Sequence, residues 1–523
     1  MKKILSTLIV LSFTINKSQT QDLAKLASGE NIQFNAFYDK KKENVDGYFT
    51  LFDNGKIDEN RKKFEYFILD KNLNIVANKE FEVENGKYIQ KYVAYTNIRG
   101  KLTLAPVLMP IYSYAGLPNK AVTPASKEID LATNTMVDKN EKCYENQEFI
   151  DCPADKTIKT QKDELKKERK EKGFVYQSTV YETKFGNYLV LEYDDYDKFT
   201  KNNRLSLFTP EKKELWKYEY NKNGQKKVSE YIKLLDMDEN TIIALLTNKD
   251  NRDYSFSLLV LDAKNGNIIK QEFLNSYFKD LRADYSSTMR FISNMFTQTG
   301  DLDNSKAFDD KFVMVGRLYD VPEVNYENIN GQGYIRMIID KKDYSVKFDM
   351  FNYPDQLIKF IPTIRDLGYI DGNYYLDPRD LYFMKNGSVG ILTEMYKIGF
   401  SAEKTKDFYY IYTDENFKIQ NVKKIEKEET KHETTDYLFS QNIKGGDDVV
   451  FFYKDLVKDE NNKKKINLYI NTLIKNQFKQ EIIPIATEDN VIIPYVAKEG
   501  YILLNEINKK RKYNQIRLEK LNY

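Results

Sequence analysis

A hairpin with an Asn-Gly turn, repeated imperfectly along the chain, constrains this sequence more than any other feature. Its clearest copy runs from Tyr254 to Phe273, YSFSLLVLDAKNGNIIKQEF. A strand leads into Asp262, Asn265-Gly266 makes the turn, and a second strand leaves through Ile268 and Ile269. Asn-Gly is a strong hairpin signal because both residues tolerate positive φ. Comparable first strands end at Asp70, Pro210, Asp340, Asp414 and Thr472. Three residues before these six anchors stand Phe67, Leu207, Leu259, Met337, Ile411 and Tyr469. Two residues before them stand Ile68, Phe208, Val260, Ile338, Tyr412 and Ile470. Both columns are apolar throughout, in a chain that is only 41% hydrophobic.

Each hairpin is preceded by another, so the unit has four strands. In the clearest unit Tyr231-IKLL is the first strand and Thr241-IIALLTN the second. Unit starts fall near Ile32, Tyr88, Phe174, Glu230, Met289, Leu381, Asp436 and Val491. Most steps are about 55 residues, a period that belongs to propellers and other arrays. Runs such as Tyr48–Phe52 and Val449–Lys454 are apolar on both faces, as in strands covered on both sides. The pattern predicts an all-β fold: a β-propeller of four-stranded blades, eight in number, with seven the alternative. Two steps are long and predict loop or helix inserts at about 106–172 and 350–380. The last unit lacks a fourth strand, and a segment around Asp22 to Glu30 is expected to supply it and close the ring.

Lys2 and Lys3 precede an apolar run from Ile4 to Ile15, with Ser18 and Thr20 placed for cleavage before Gln21. This reads as a secretory signal peptide over 1–20, leaving 21–523 as a single propeller domain that is periplasmic or extracellular. No later stretch reads as a transmembrane segment. In an oxidising compartment Cys143 and Cys152 are expected to close CYENQEFIDC as a disulfide, worth about 2.7 kcal/mol on a chain-entropy estimate. Two unpaired thiols are the alternative. The charged run 155–173 reads as a solvated helix or loop. With 81 basic against 79 acidic residues there is no field to hold a nucleic acid.

Chemistry-bearing motifs are sparse. His432 is the single histidine, which excludes HExxH and multi-His metal sites, and no G-x-S-x-G elbow accompanies it. Asp301-Leu-Asp303-Asn-Ser305 has alternate oxygens, but Lys306 and Phe312 stand where a calcium loop needs Gly and Glu, so it reads as a polar turn. Asp194-Asp-Tyr-Asp197 reads as a strand end. Glu192, Glu394 and Asp447 lie in or beside second strands, where a propeller glycosidase would hold its acids. Tyr188, Tyr193, Tyr319, Tyr374, Tyr375 and Tyr396 fall at strand ends or in loops, where exposed rings anchor partners. Trp216 stands alone in KKELWKYEY and reads as packing. That stretch resembles the outer hairpins of quinoprotein-like propellers, but a single Trp departs from their Trp in nearly every blade.

By repeat length and hairpin grammar, residues 30–523 resemble secreted β-propeller repeat proteins of the Lys/Asn-rich, Bacteroidetes-type kind, a group of unknown function. No catalytic motif carries the resemblance, so no catalytic residue, cofactor or metal is assigned. The expected function is a binding or scaffold propeller with a protein or glycan partner, acting as a monomer, and more a non-enzyme than an enzyme. Two alternatives stand beside it: a carboxylate-dependent glycoside hydrolase or lyase acting at the channel, and an envelope structural protein.

Overall fold

The computed structural model describes residues 19–522, apart from the longer stretches 109–124, 152–162, 279–303 and 319–332 and a set of shorter segments that includes 194–201, 432–435 and 444–447. The described residues form eight antiparallel sheets of four strands, one extended by two short strands, and a separate two-stranded hairpin. The four main strands of blades 1 to 7 follow chain order, and the chain is an eight-bladed β-propeller. Blades 1 to 7 span 30–84, 89–138, 177–220, 228–273, 305–352, 374–425 and 437–484.

Blade 8 is built from both ends of the chain. Asn490–Val496, Tyr501–Asn508 and Asn514–Lys520 are its first three strands, and Gln19–Asp22 is the fourth. Gln19 pairs with Leu518 and Asp22 with Gln515. The closing strand therefore lies just before the 22–30 segment expected to supply it. Asp22 instead caps a short turn of 3-10 helix, Leu23–Lys25, by accepting the Ala24 N–H at 3.1 Å.

The two-faced apolar runs are explained by blade stacking. In Thr241–Asp250, Ile242, Ala244 and Leu246 pack with blade 3, while Ile243 and Leu245 pack with blade 5. In blade 7, Val450 and Phe452 face blade 8, and Val449, Phe451 and Tyr453 face blade 6. Each middle strand is thus covered on both sides, and each large side chain so buried contributes about 1.5–3 kcal/mol. Shared apolar clusters join every neighbouring pair of blades except 2 and 3 among the described residues. On the face of blade 3 that turns away from blade 4, Tyr188, Val190 and Phe208 are covered by Tyr144 and Phe149. Those two belong to the hairpin Lys142–Glu145 and Glu148–Asp151, inside the expected first insert.

The anchors of the repeat cap the turn between the third and fourth strands. Asp70, Asp262, Asp340 and Asp414 each accept the backbone N–H two residues on, at 2.7 to 2.9 Å. A residue with positive φ follows at the third or fourth position: Leu73, Gly266, Tyr344 and Phe417. The short carboxylate replaces a backbone acceptor and fixes the turn. In blade 3 Thr209, not Pro210, has this role, accepting from Glu211 and Lys213.

Other unit boundaries shift. Within 106–172, Lys127–Asp130 and Thr135–Asp138 form the outer hairpin of blade 2. Within 350–380, a 3-10 turn at Leu357–Lys359 leads towards Tyr374–Phe383, the first strand of blade 6. Met289 lies outside the described residues, and blade 5 opens at Ser305–Ala307. Ser305 and Lys306 are therefore in a strand, and Phe312 is in the core.

Candidate functional site

The first strands of blades 8, 1 and 2 touch one another, which places them at the ring axis. Gln33 of blade 1 bonds to blade 2 there as a ladder partner would. Its Oε1 accepts the Tyr92 N–H at 2.8 Å, and its Nε2 donates to the Tyr92 carbonyl. Along this arc the inner strands leave apolar side chains in solvent: Val491 and Ile493 of blade 8, Ile32 of blade 1, Val93 of blade 2 and Val180 of blade 3, each about 37–48% exposed. Exposed apolar side chains on the inner strands of four successive blades have the character of a contact surface.

The opposite arc is charged. The first strand of blade 6 carries Asp377, Arg379 and Asp380 around a bulge at Pro378. Arg317 of blade 5 binds Asp377, and Arg379 Nη1 lies 2.9 Å from the same carboxylate. Arg379 Nε donates to Glu394 at 2.8 Å. Beyond it, Lys427 Nζ lies 3.5 Å from Glu394 and 2.7 Å from Asp436. Six groups thus alternate in sign from blade 5 to blade 7. The chain runs inward from Asp377, whose side chain is 18% exposed, to Glu394 and Lys427, whose side chains have no solvent contact. Thr430 and Thr405 Oγ1 also donate to Asp436. Low dielectric strengthens each of these contacts and makes each desolvation costly, so the network holds only while complete.

Two carboxyls beside the chain are pushed towards the neutral form. Burial raises the pKa of Asp380, although Ser440 and Tyr437 of blade 7 and the Leu381 N–H all donate to it. Burial lifts Asp455 to about 6, opposed by the Glu428 N–H at 3.2 Å and by the nearby Lys427 charge, and aided by Asp436. Asp455 Oδ1 is buried and has no hydrogen-bond partner among the described residues.

The structure relocates most residues singled out in the sequence. Glu192 and Glu394 are 1% and 0% exposed, each facing an arginine: Arg204 at 3.6 Å and Arg379 at 2.8 Å. They are structural anions and not acids open to the channel. The same Arg204 donates to the Tyr144 hydroxyl of the hairpin at 2.8 Å. Tyr188, Tyr374 and Tyr375 are buried, not exposed, because the neighbouring elements cover their rings. Phe149 lies over Tyr188, Tyr374 donates to Glu429, and Tyr375 meets half-buried Tyr396 edge-on. Trp216 packs between blades 3 and 4. Asp447, His432, Tyr319, Asp194, Asp197, Asp301, Asp303, Cys152 and the side chains of Tyr193 and Cys143 lie outside the described residues. The backbone of Cys143 sits opposite Ile150 in the hairpin. Among the described residues, no group of three or more metal-binding side chains converges.

No family model matches the chain, and no curated protein does. Solved structures are similar to it in fold. The WD40 domain of SCAP from fission yeast is 6% identical, with 96% of this chain and 98% of that one covered and a TM-score of 0.37. The propeller domain of the trilobed protease from Pyrococcus furiosus is 10% identical over 66% of this chain and 98% of that one, with a TM-score of 0.24. TolB from Acinetobacter baumannii is 9% identical over 76% of each, with a TM-score of 0.20. At such identities and scores they say nothing about activity.

Arg317, Asp377, Arg379, Lys427, Asp436 and Asp455 were not singled out by sequence. One trace of them is legible: Asp377-Pro-Arg-Asp380 sets three charges in a strand bounded by aromatic and aliphatic residues. Lys427, in the run KKIEKEET, has nothing to distinguish it from its solvated neighbours.

Proposed function

We propose that this chain is an exported, non-enzymatic binding propeller that holds a protein or glycan partner against its axial wall. The observation that carries the reading is the exposure of Val491, Ile493, Ile32, Val93 and Val180 on the inner strands of four successive blades. Exposed apolar side chains of this size, spread over four blades, have no packing role in the ring itself. Export rests on Lys2, Lys3 and the apolar run from Ile4 to Ile15, as in the secreted Bacteroidetes-type propellers that the sequence resembles.

The hydrolase or lyase reading has less support. Its candidate acids Glu192 and Glu394 are sealed in ion pairs, whereas glycoside hydrolysis needs two carboxyls facing one substrate. The test is retention of envelope proteins and glycans on the immobilised protein, compared with the variant Ile32→Asp/Ile493→Asp. Specific retention lost in the variant supports the reading. Equal retention by both, or turnover in a polysaccharide screen, overturns it.

A further inference from the structure

Among the described residues, the outer strand of blade 7, Gln477–Pro484, is the longest outer sheet edge whose inward pairing carries no shift of register. It pairs inward with Lys464–Ile474, from Ile474↔Gln477 to Asn467↔Pro484, with no shift of register. The outer strands of blades 1, 3, 4 and 6 each carry a shift in this pairing, and those of blades 2, 5 and 8, which carry none, are shorter, at 4, 7 and 4 residues. Such bulges twist an edge away from new partners, and blade 7 lacks that protection. The Ile485 N–H donates inward to the Ile466 carbonyl at 2.9 Å. Strand alternation then turns the backbone N–H and C=O of Phe478, Gln480 and Ile482 outward. Pro484, which has no N–H to offer, falls in the same outward set.

The residues on this edge are self-complementary. Phe478-Lys479-Gln480-Glu481-Ile482 places apolar residues two positions either side of Gln480 and opposite charges one position either side. Lys479, Gln480 and Glu481 are exposed, and Ile482 is 50% exposed. We propose that two copies of this chain join antiparallel through this strand, about a two-fold axis at Gln480. Gln480 then faces its counterpart, and Phe478 faces Ile482 of the second copy. Both are outward-turned pairs, the kind that exchanges two hydrogen bonds each. Lys479 faces Glu481 of the second copy, twice over. Self-complementarity about one point is what a closed two-fold contact requires.

Blade 4 carries a similar pentad with its apolar ends exchanged, Ile269-Lys-Gln-Glu-Phe273, but there the register shifts beside Ile269. Lys270 of that strand is also held by the Tyr344 carbonyl and by Glu272, both at 2.8 Å, whereas Lys479 makes one longer contact, Nζ to the Asn522 carbonyl at 3.2 Å. The dimer departs from the expected monomer because an edge this regular was not legible in the sequence.

Sedimentation of the full-length chain over a concentration series tests the proposal. The wild type is expected to dimerise. Gln480→Lys, which sets two like charges across the axis, and Lys479→Glu are each expected to weaken association about tenfold or more. The double variant Lys479→Glu/Glu481→Lys restores the alternation of sign and is expected to restore the dimer, which a folding defect would not do. Gln271→Lys in blade 4 leaves it intact. A monomer throughout the series, a dimer indifferent to Gln480→Lys, or a dimer lost only with Gln271→Lys overturns the proposal.

Discussion

The indole of Trp216 in blade 3 lies flat against Gly266 in the Asn-Gly turn of blade 4. A Cβ on Gly266 would stand 2.6 Å from Trp216 Cε3, and the glycine has φ +72°. The indole Nε1 donates to the Ala263 carbonyl of the same turn at 2.9 Å. One side chain thus fastens the outer hairpin of one blade to the next.

Gly266→Ala is accordingly expected to destabilise the protein by about 1–3 kcal/mol, through backbone strain and overpacking together. Trp216 is the single tryptophan of the chain, so its emission during urea unfolding reports this seam directly. Trp216→Phe, which keeps a ring but loses the donor, is expected to cost about 1 kcal/mol more than its change in volume, from the Ala263 carbonyl left unpaired. Its unfolding is read by far-ultraviolet circular dichroism.

Ring closure depends on Gln19–Asp22. A chain starting at Asp22 exposes the ladder edge of Asn514–Lys520 and is expected to melt several degrees below a chain starting at Gln19, by differential scanning calorimetry. A chain starting at Gln21, the expected product of signal cleavage, keeps half of the closing strand and is expected to fall between the two.

Lys427 neutralises Glu394 and Asp436 in the interior. Lys427→Met fills its volume but leaves Asp436 without a cation and Glu394 with Arg379 alone, and the expected loss is about 3–5 kcal/mol in chemical denaturation. Adding Asp436→Asn removes the stranded charge while keeping the Arg379–Glu394 pair, and is expected to recover part of that loss.

Asp455 predicts a pH dependence of definite sign. Its folded pKa, about 6, lies above the unfolded value near 4, so the folded protein holds this proton more tightly than the unfolded chain. Stability at this site is greatest below about pH 4, falls as pH rises through the window between the two values, and levels off above about pH 6. The difference between wild type and Asp455→Asn isolates it from carboxylates such as Asp70, whose pKa is lowered and whose sign is opposite. Over that window the difference is expected to change by on the order of 2 kcal/mol, as denaturation midpoints from pH 4 to 7 would show.

The sequence by itself determined the blade. An apolar run with both faces buried, ending in Asp and a turn residue that accepts positive φ, admits few local solutions. Asp70, Asp262, Asp340 and Asp414 mark four of them by the backbone groups that their own carboxylates hold. The missing fourth strand of the last unit was legible too, because counting strands needs no coordinates. Tertiary structure alone decided which charges meet. Asp377 and Glu394 of blade 6 and Lys427 and Asp436 of the connector to blade 7 lie up to about sixty residues apart, and only the packing of these elements on one another sets them in alternating order. It also decided which tyrosines are covered and which edge runs straight. Burial and register depend on what packs from elsewhere in the chain, and a local reading of side-chain pattern does not contain them.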